Sequence, residues 1–523
     1  MLKRMLLAGG CVLLAGTAEA ATRDPVVACA ALTGMAGPAL AIDRAEAVAA
    51  ADGLPPHCIV SGTIAPRLGV GGKPYGVGFQ MRLPTAWSGQ FLYQGGGGLD
   101  GAVLPALGRI PAHGSTAVPA LARGMAVVSA DGGHEGMDAS FALDQQARLD
   151  YEFNAIAEVT ATAKALLARY YDARPVHSYF MGCSNGGKEG MIAAQRFPAE
   201  FDGVVAGAPA YNLTNAAIAE AWDTQALLRA APTDAEGHKI LARAFSPADL
   251  TLVGNAILAA CDAADGVKDG MIADPRVCRF DPAVLQCQGE KTDSCLAPAQ
   301  VAALAAMHAG PHDSHGTALY SDWPWDAGIA APGWRRWKLG SAAGPQPDAL
   351  NVTLGFVAMA SLFLTPPDPS FDPLGFDFDR DPPRLAQTAA LNNATSTFYS
   401  SFVARGGKLV VFHGGSDPVF SANDSAHYFD RLAADNGGAA ATGEWARLFI
   451  VPGMTHCGDG PALDDFDPLT ALTDWVEQGH APAEMLSRGK AFPGRSRPLC
   501  PYPQSAHYSG SGDSEAAASF ICR

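Results

Sequence analysis

The stretch that most constrains the fold is Ser178-Tyr179-Phe180-Met181-Gly182-Cys183-Ser184-Asn185-Gly186-Gly187-Lys188-Glu189-Gly190. An apolar strand turns sharply through Gly-x-Ser-x-Gly into a helix from Asn185 to about Arg196, whose Met191, Ile192 and Ala194 suit burial. Such a turn cramps the backbone at Ser184 and lifts its hydroxyl clear of the sheet. The residues two before and two after must then lack bulk, and Gly182 and Gly186 do. In a chain with 58 glycines the five-residue pattern alone says little, and a loop serine is the ordinary reading. The flanking strand and helix are what make Ser184 a candidate nucleophile.

Around this turn the chain alternates strands and helices. Cys58–Gly62, Tyr75–Leu83 and Gln90–Gln94 alternate apolar and polar residues and predict early, largely antiparallel strands. Gly124–Ala130 predicts a further strand, Tyr151–Tyr171 a helix, and Phe201–Pro209 a short buried strand. The rhythm stops near Tyr211. It resumes after Asn393 with strands at Lys408–Gly414 and Ala446–Gly453 and helices at Ser425–Ala434 and Leu469–Gln478. A single domain of 523 residues would be unusual. We therefore expect an α/β fold: an α/β-hydrolase core, a mostly parallel sheet with helices on both faces, in two parts, 21–210 and 394–523, around an inserted lid domain at 211–393. The lid carries helical segments at Pro247–Cys261 and Pro298–Gly310 and two aromatic clusters, Trp323-Pro324-Trp325 and Trp334-Arg335-Arg336-Trp337, more often core than binding platform.

Residues 1–20 have Lys3 and Arg4, an apolar run through Cys11, and Ala18-Glu19-Ala20, which reads as a cleaved secretory signal peptide. A formal net charge of −16 disfavours nucleic acid and anionic membranes. No later run is long enough to span a bilayer. The protein is expected to be secreted or periplasmic. Without Cys11, an even number of cysteines remains, as a disulfide framework requires. Pairing neighbours gives Cys29–Cys58, Cys261–Cys278, Cys287–Cys295 and Cys500–Cys522 and leaves Cys183 and Cys457 to each other. Spacing does not fix this connectivity, and two separate thiols are the alternative for the last pair.

A serine hydroxyl needs a base to take its proton and an acid to orient that base. In strand–helix hydrolases these follow the serine in the order acid, histidine, each on a loop after a strand. Asp417 and His456 fit both conditions. His134 precedes the serine and His413 precedes the acid; Asp459, Asp464 and Asp465 come too late. The oxyanion needs two N–H donors: the amide of Asn185, after the nucleophile, and one from Gly95-Gly96-Gly97-Gly98, for which we take Gly98. In the lid, Asp262, Asp265 and Asp269 with the carbonyls of Val267 and Met271 present hard oxygens suited to Ca²⁺. A solvated acidic turn explains the same residues equally well.

Gly182–Gly187, Gly414-Gly415-Ser416-Asp417-Pro418 and Pro452-Gly453-Met454-Thr455-His456-Cys457 together resemble the tannase/feruloyl esterase family, which includes feruloyl esterases, tannases and mono(2-hydroxyethyl) terephthalate hydrolase. The resemblance runs from Cys29 to Cys522. It implies a Ser184–Asp417–His456 triad, a Cys183–Cys457 disulfide, a lid over the site holding structural Ca²⁺, and no organic cofactor. It further implies a small aromatic ester as substrate, free or attached to a polysaccharide. Trp334, Trp337 and Phe356 are expected to offer a stacking face, with Phe420 beside them; Arg335 or Arg336 would be the partner for the free carboxylate of a terephthalate monoester, although a solvated arginine is the commoner outcome. Feruloyl-type esters come first, galloyl esters second and terephthalate monoesters third. A phenolic- or carbohydrate-binding protein that kept the fold, and a general carboxylesterase, are the competing readings.

Overall fold

The computed structural model of the protein describes residues 22–523, so the expected signal peptide lies outside the described residues. Nine strands form one sheet: β1 Leu40–Val48, β2 His57–Leu68, β3 Pro74–Pro84, β4 Gln90–Gln94, β5 Ala126–Ala130, β6 His177–Cys183, β7 Gly203–Gly207, β8 Lys408–Gly414 and β9 Ala446–Val451. Their order is β1-β2-β3-β5-β4-β6-β7-β8-β9. From β5 to β9 every pairing is parallel, and these strands are near-continuous buried apolar runs, as both-face coverage demands. β1 to β3 run antiparallel, and in β3 the buried Val77, Phe79, Met81 and Leu83 recur at period two.

Two strand expectations need correction. Gln90–Gln94 is parallel to both neighbours, because β5 comes between it and β3. β1 was not expected at all: Asp43, Arg44 and Glu46 hide its alternation, as suits an edge strand whose charges face solvent.

On one face Phe79, Phe91, Phe180 and Val204 pack against helices Ala155–Tyr171, Asn185–Arg196 and Ala422–Asp435. On the other, Tyr179, Met181, Val205 and Phe412 meet Leu469, Leu472 and Trp475 of helix Pro468–Gln478. The chain leaves the sheet after β7 and returns at β8. The intervening segment has a core of its own, built from Leu227, Phe245, Val253, Ile257 and Leu304. Trp334 packs in that core and borders neither hollow that reaches Ser184, contrary to expectation. Helix Pro247–Cys261 starts where Ser246 Oγ accepts the Asp249 N–H and the Asp249 carboxylate accepts the Ser246 N–H, with Pro247 at the first position. The disulfides are Cys29–Cys58, Cys183–Cys457, Cys261–Cys278, Cys287–Cys295 and Cys500–Cys522.

Candidate active site

Ser184 leaves β6 at φ 63°, ψ −123°, a conformation L-residues adopt only where the surroundings force it. The forcing is visible in the backbone packing. A Cβ on Gly182 would lie 2.6 Å from the carbonyl carbon of Gly186, and one on Gly186 would lie 2.6 Å from Gly96 O. Elbow and glycine loop therefore pack main chain on main chain, which larger residues would prevent.

Gly98 and Asn185 border one cavity with Ser184. Asn185 opens its helix, so its N–H has no intrahelical acceptor, and among the described residues neither it nor the Gly98 N–H donates elsewhere. The loop is held from below. Glu189 Oε2 accepts the Gly96 N–H at 3.1 Å, and Asn185 Nδ2 donates to Asp100 Oδ1 at 2.9 Å. The Tyr151 hydroxyl stands 3.2 Å from Gly98 O and 3.3 Å from Asn185 Oδ1. Burial, then the charge of Asp100 and a hydrogen bond shared with it, hold Glu189 protonated well above the carboxylate range. Burial pushes Lys188 down to about 8; its Nζ donates to Asn392 Oδ1 of the segment between β7 and β8 at 2.9 Å and sits over the Tyr151 ring.

Asp417, on the loop after β8, holds His456, on the loop after β9, through Oδ2 to Nδ1 at 2.8 Å. Its Oδ1 accepts the N–H groups of Val419 and Phe420 at 2.8 and 3.1 Å. Burial alone would raise its carboxyl. The charge of His456 and hydrogen bonds from His413 and His456 outweigh burial and hold it well below the usual carboxylate range. His456 Nε2 is buried and, among the described residues, has no hydrogen-bond partner, Ser184 included. Both residues border one open groove, and the Cys183–Cys457 bridge holds their neighbours with Cα atoms 6.1 Å apart. Looseness between base and nucleophile before substrate binds is ordinary. Asp326 from the inserted segment accepts the Gly453 N–H at 2.7 Å, and the Gly328 N–H donates to Ser416 Oγ at 3.0 Å, so that segment props both loops.

Two hollows meet at Ser184. One, the narrower, lies under the inserted segment against Leu213, Leu354, Phe363 and Phe420. The other is a broad groove running past Arg109, His113 and Arg336. Trp337 borders both and presents an edge to His456 at 5.5 Å between ring centres; Phe420 does the same at 5.4 Å. Phe356 is a correction. It packs with Met359, Leu362 and Phe363, while its neighbours Leu354, Gly355 and Ala358 face the pocket. The chain there is a π-turn, Asn351–Phe356, whose register sequence periodicity does not give. Arg335 is occupied by Phe245 O, and Arg336 borders the groove.

In the acidic loop, Asp262 accepts the N–H groups of Asp269 and Gly270, Asp265 accepts that of Val267, and Asp269 pairs with Arg497 and accepts the Met271 N–H. Among the described residues no three His, Cys, Asp or Glu side chains gather closely enough to hold a metal. Burial, with help from the charges of Asp269 and Asp262, nonetheless pushes Asp265 up to about 6. His134 is also no ligand or base here; it is buried and stacked on Phe141 at 3.6 Å.

The sequence model of the family described as tannase and feruloyl esterase matches residues 58–523. The chain is 45% identical to mono(2-hydroxyethyl) terephthalate hydrolase from Piscinibacter sakaiensis, over 92% of this chain and 87% of that one. Among solved structures, feruloyl esterase B from Aspergillus oryzae superposes with a TM-score of 0.78 at 25% identity, covering 95% of this chain and 99% of its own. Tannin acyl hydrolase from Aspergillus niger shares the fold with a TM-score of 0.73 at 23% identity, each chain covered to 96%.

Proposed function

Because the chain belongs to the tannase and feruloyl esterase family and is an aromatic ester hydrolase with an α/β-hydrolase fold, we propose that it acts as a serine esterase through an acyl-enzyme on Ser184. The observation that carries this reading is the hydrogen-bonded His456–Asp417 pair, whose Nε2 is left without a partner among the described residues and whose imidazole borders the same groove as the half-buried elbow serine. Ser184 Oγ attacks the ester carbon while His456 Nε2 takes its proton, and Asp417 fixes the tautomer and stabilises the imidazolium. The N–H groups of Gly98 and Asn185 receive the oxyanion. As the tetrahedral intermediate collapses, the alcohol departs with the proton from His456. Water, deprotonated by the same nitrogen, then releases the acid and restores the serine.

The smaller hollow suits the acyl group, being apolar and roofed, and the open groove suits an alcohol of variable size, a sugar included. Hydroxycinnamoyl esters such as feruloyl fit best, since a planar ring can lie between Leu213, Leu354 and Phe420. A second reading, hydrolysis of a terephthalate monoester, is favoured by the 45% identity to the Piscinibacter enzyme. It needs a cation for the free carboxylate, and among the described residues no arginine or lysine borders the smaller hollow. Measuring kcat/KM on methyl ferulate, methyl gallate, a terephthalate monoester and an aliphatic nitrophenyl ester ranks these. The aromatic esters are expected to lead, and Ser184→Ala to abolish all turnover. Residual activity in that variant, or preference for the aliphatic ester, refutes the reading.

Export follows from the same proposal: five disulfides suit an oxidising compartment, and among the described residues no helix is long and apolar enough to cross a membrane. We also assign structural Ca²⁺ to the acidic loop. Its donors are carboxylates and carbonyls, the ligand type Ca²⁺ takes, and to bind an ion the three carboxylates would have to draw closer together, with Asp269 turning from Arg497. The residues that would hold it are Asp262, Asp265 and Asp269 with the carbonyls of Val267 and Met271. The ion would cross-link the loop and take no part in ester cleavage.

A further inference from the structure

The smaller hollow has one feature its apolar walls do not explain. Glu220 lies on its wall, on the same helix as Leu213 and two turns further along, so both project to one side. The residue is only 5% exposed, and its carboxyl has no hydrogen bond among the described residues, yet its oxygens are not sealed from the cavity. The other polar side chains on this wall, apart from the Trp337 indole N–H, are accounted for. Tyr151 and Asn185 bond to one another, and Ser184 is the nucleophile. The nearby ammonium of Lys338 is committed to Asp223. Room for the carboxyl depends on a glycine: the Gly355 main chain packs directly against it, and a Cβ there would collide with Glu220 Oε2.

A buried, unpaired carboxyl is costly unless a ligand supplies what it lacks. Burial pushes Glu220 up to about 8, an effect that Lys338 opposes and Asp223 reinforces, so at neutral pH the group is a carboxylic acid able both to donate and to accept. We propose that Glu220 is the specificity-determining residue of the acyl pocket and recognises a phenolic hydroxyl on the aromatic ring of the substrate's acid. The inference rests on the assignment of this hollow to the acyl group. A ring without a hydroxyl leaves the carboxyl unpaired. A ring bearing a carboxylate brings a second acid into a pocket that, among the described residues, no arginine or lysine borders. A hydroxylated ring satisfies Glu220 and is itself satisfied, which separates phenolic acids from cinnamic, benzoic and terephthalic ones.

The test is the ratio of kcat/KM for methyl 4-hydroxycinnamate to that for methyl cinnamate, in the wild type, Glu220→Gln and Glu220→Leu. Thermal melting and phosphonate labelling of Ser184 verify folding. Sites built to bond a hydroxyl reject its absence strongly, so the wild-type ratio is expected to be about tenfold or more. Glu220→Leu should bring it close to one. Glu220→Gln, whose amide still donates and accepts, should stay above Glu220→Leu. A wild-type ratio near one, a ratio unchanged in Glu220→Leu, or equal ratios in the two variants overturns the proposal. Should the leucine variant not fold, Gly355→Ala takes its place: it should displace the carboxyl and lower the ratio, and an unchanged ratio overturns the proposal. Failure of the esterase reading is distinguishable, because it would show in turnover by Ser184→Ala or in preference for aliphatic esters, whatever residue 220 does.

Discussion

Replacing both Cys183 and Cys457 by serine tests whether the bridge holds nucleophile and base together. The disulfide closes a loop of 274 positions, for which the chain-entropy relation gives about 5.6 kcal/mol, an upper figure because residual order in the unfolded chain shrinks it. For roughly 500 ordered residues the unfolding entropy is about 1 kcal/mol per kelvin, so the melting temperature should fall by up to about 5 °C. The matched control is Cys287→Ser with Cys295→Ser, whose loop of 8 positions corresponds to about 2.5 kcal/mol and a correspondingly smaller shift. Activity separates the two further. Ser184 and His456 adjoin the bridged cysteines, and a displacement of about 1 Å between reacting groups costs roughly a hundredfold. The variant lacking Cys183–Cys457 should therefore lose tenfold or more in kcat, and the control should keep its kcat. Scanning calorimetry and steady-state kinetics on methyl ferulate decide it. An unchanged kcat in the first variant, or equal melting shifts in the two, would refute the clamp.

Asp417→Asn should lower kcat by about 10⁴ with little change in KM, because the amide favours the wrong tautomer of His456; steady-state kinetics checks this. Chelation should lower the melting temperature, with recovery on adding Ca²⁺ but not Mg²⁺, and an unaltered melt refutes the ion. Glu220 retains its proton to about pH 8 in the folded chain and loses it near pH 4–5 when unfolded. Folding therefore binds a proton between those values, and this contribution to stability is intact at acid pH and lost as pH rises through about 8. Melting curves from pH 5 to 8.5 should fall less steeply for Glu220→Gln than for the wild type.

What was legible in the sequence was local or ordered along the chain. The elbow is a contiguous motif, and Asp417 and His456 each follow a buried strand at the place where a parallel sheet presents its loops. The Cys183–Cys457 pair could be named because eight other cysteines had near neighbours. What escaped was whatever depends on two distant segments packing together. Lys188 and Glu189 follow Gly186-Gly187 and look like a solvated helix start, yet both are buried. They are buried because the glycine loop lies across them, and the pairing of Glu189 with the Gly96 N–H joins residues 93 positions apart. A charged residue at period-compatible spacing carries no mark that its helix face will be roofed. The same reasoning applies to Glu220, which reads as one polar residue in an alanine-rich helix. Only the approach of the π-turn at Gly355 turns it from a surface acid into an unpaired group inside a pocket. Buried ionisable groups of this kind are tolerated where something answers them. Beneath the oxyanion loop Lys188, Asp100 and Glu189 answer one another, whereas the protonated carboxyl of Glu220 finds no hydrogen-bond partner among the described residues, which leaves the substrate to provide one.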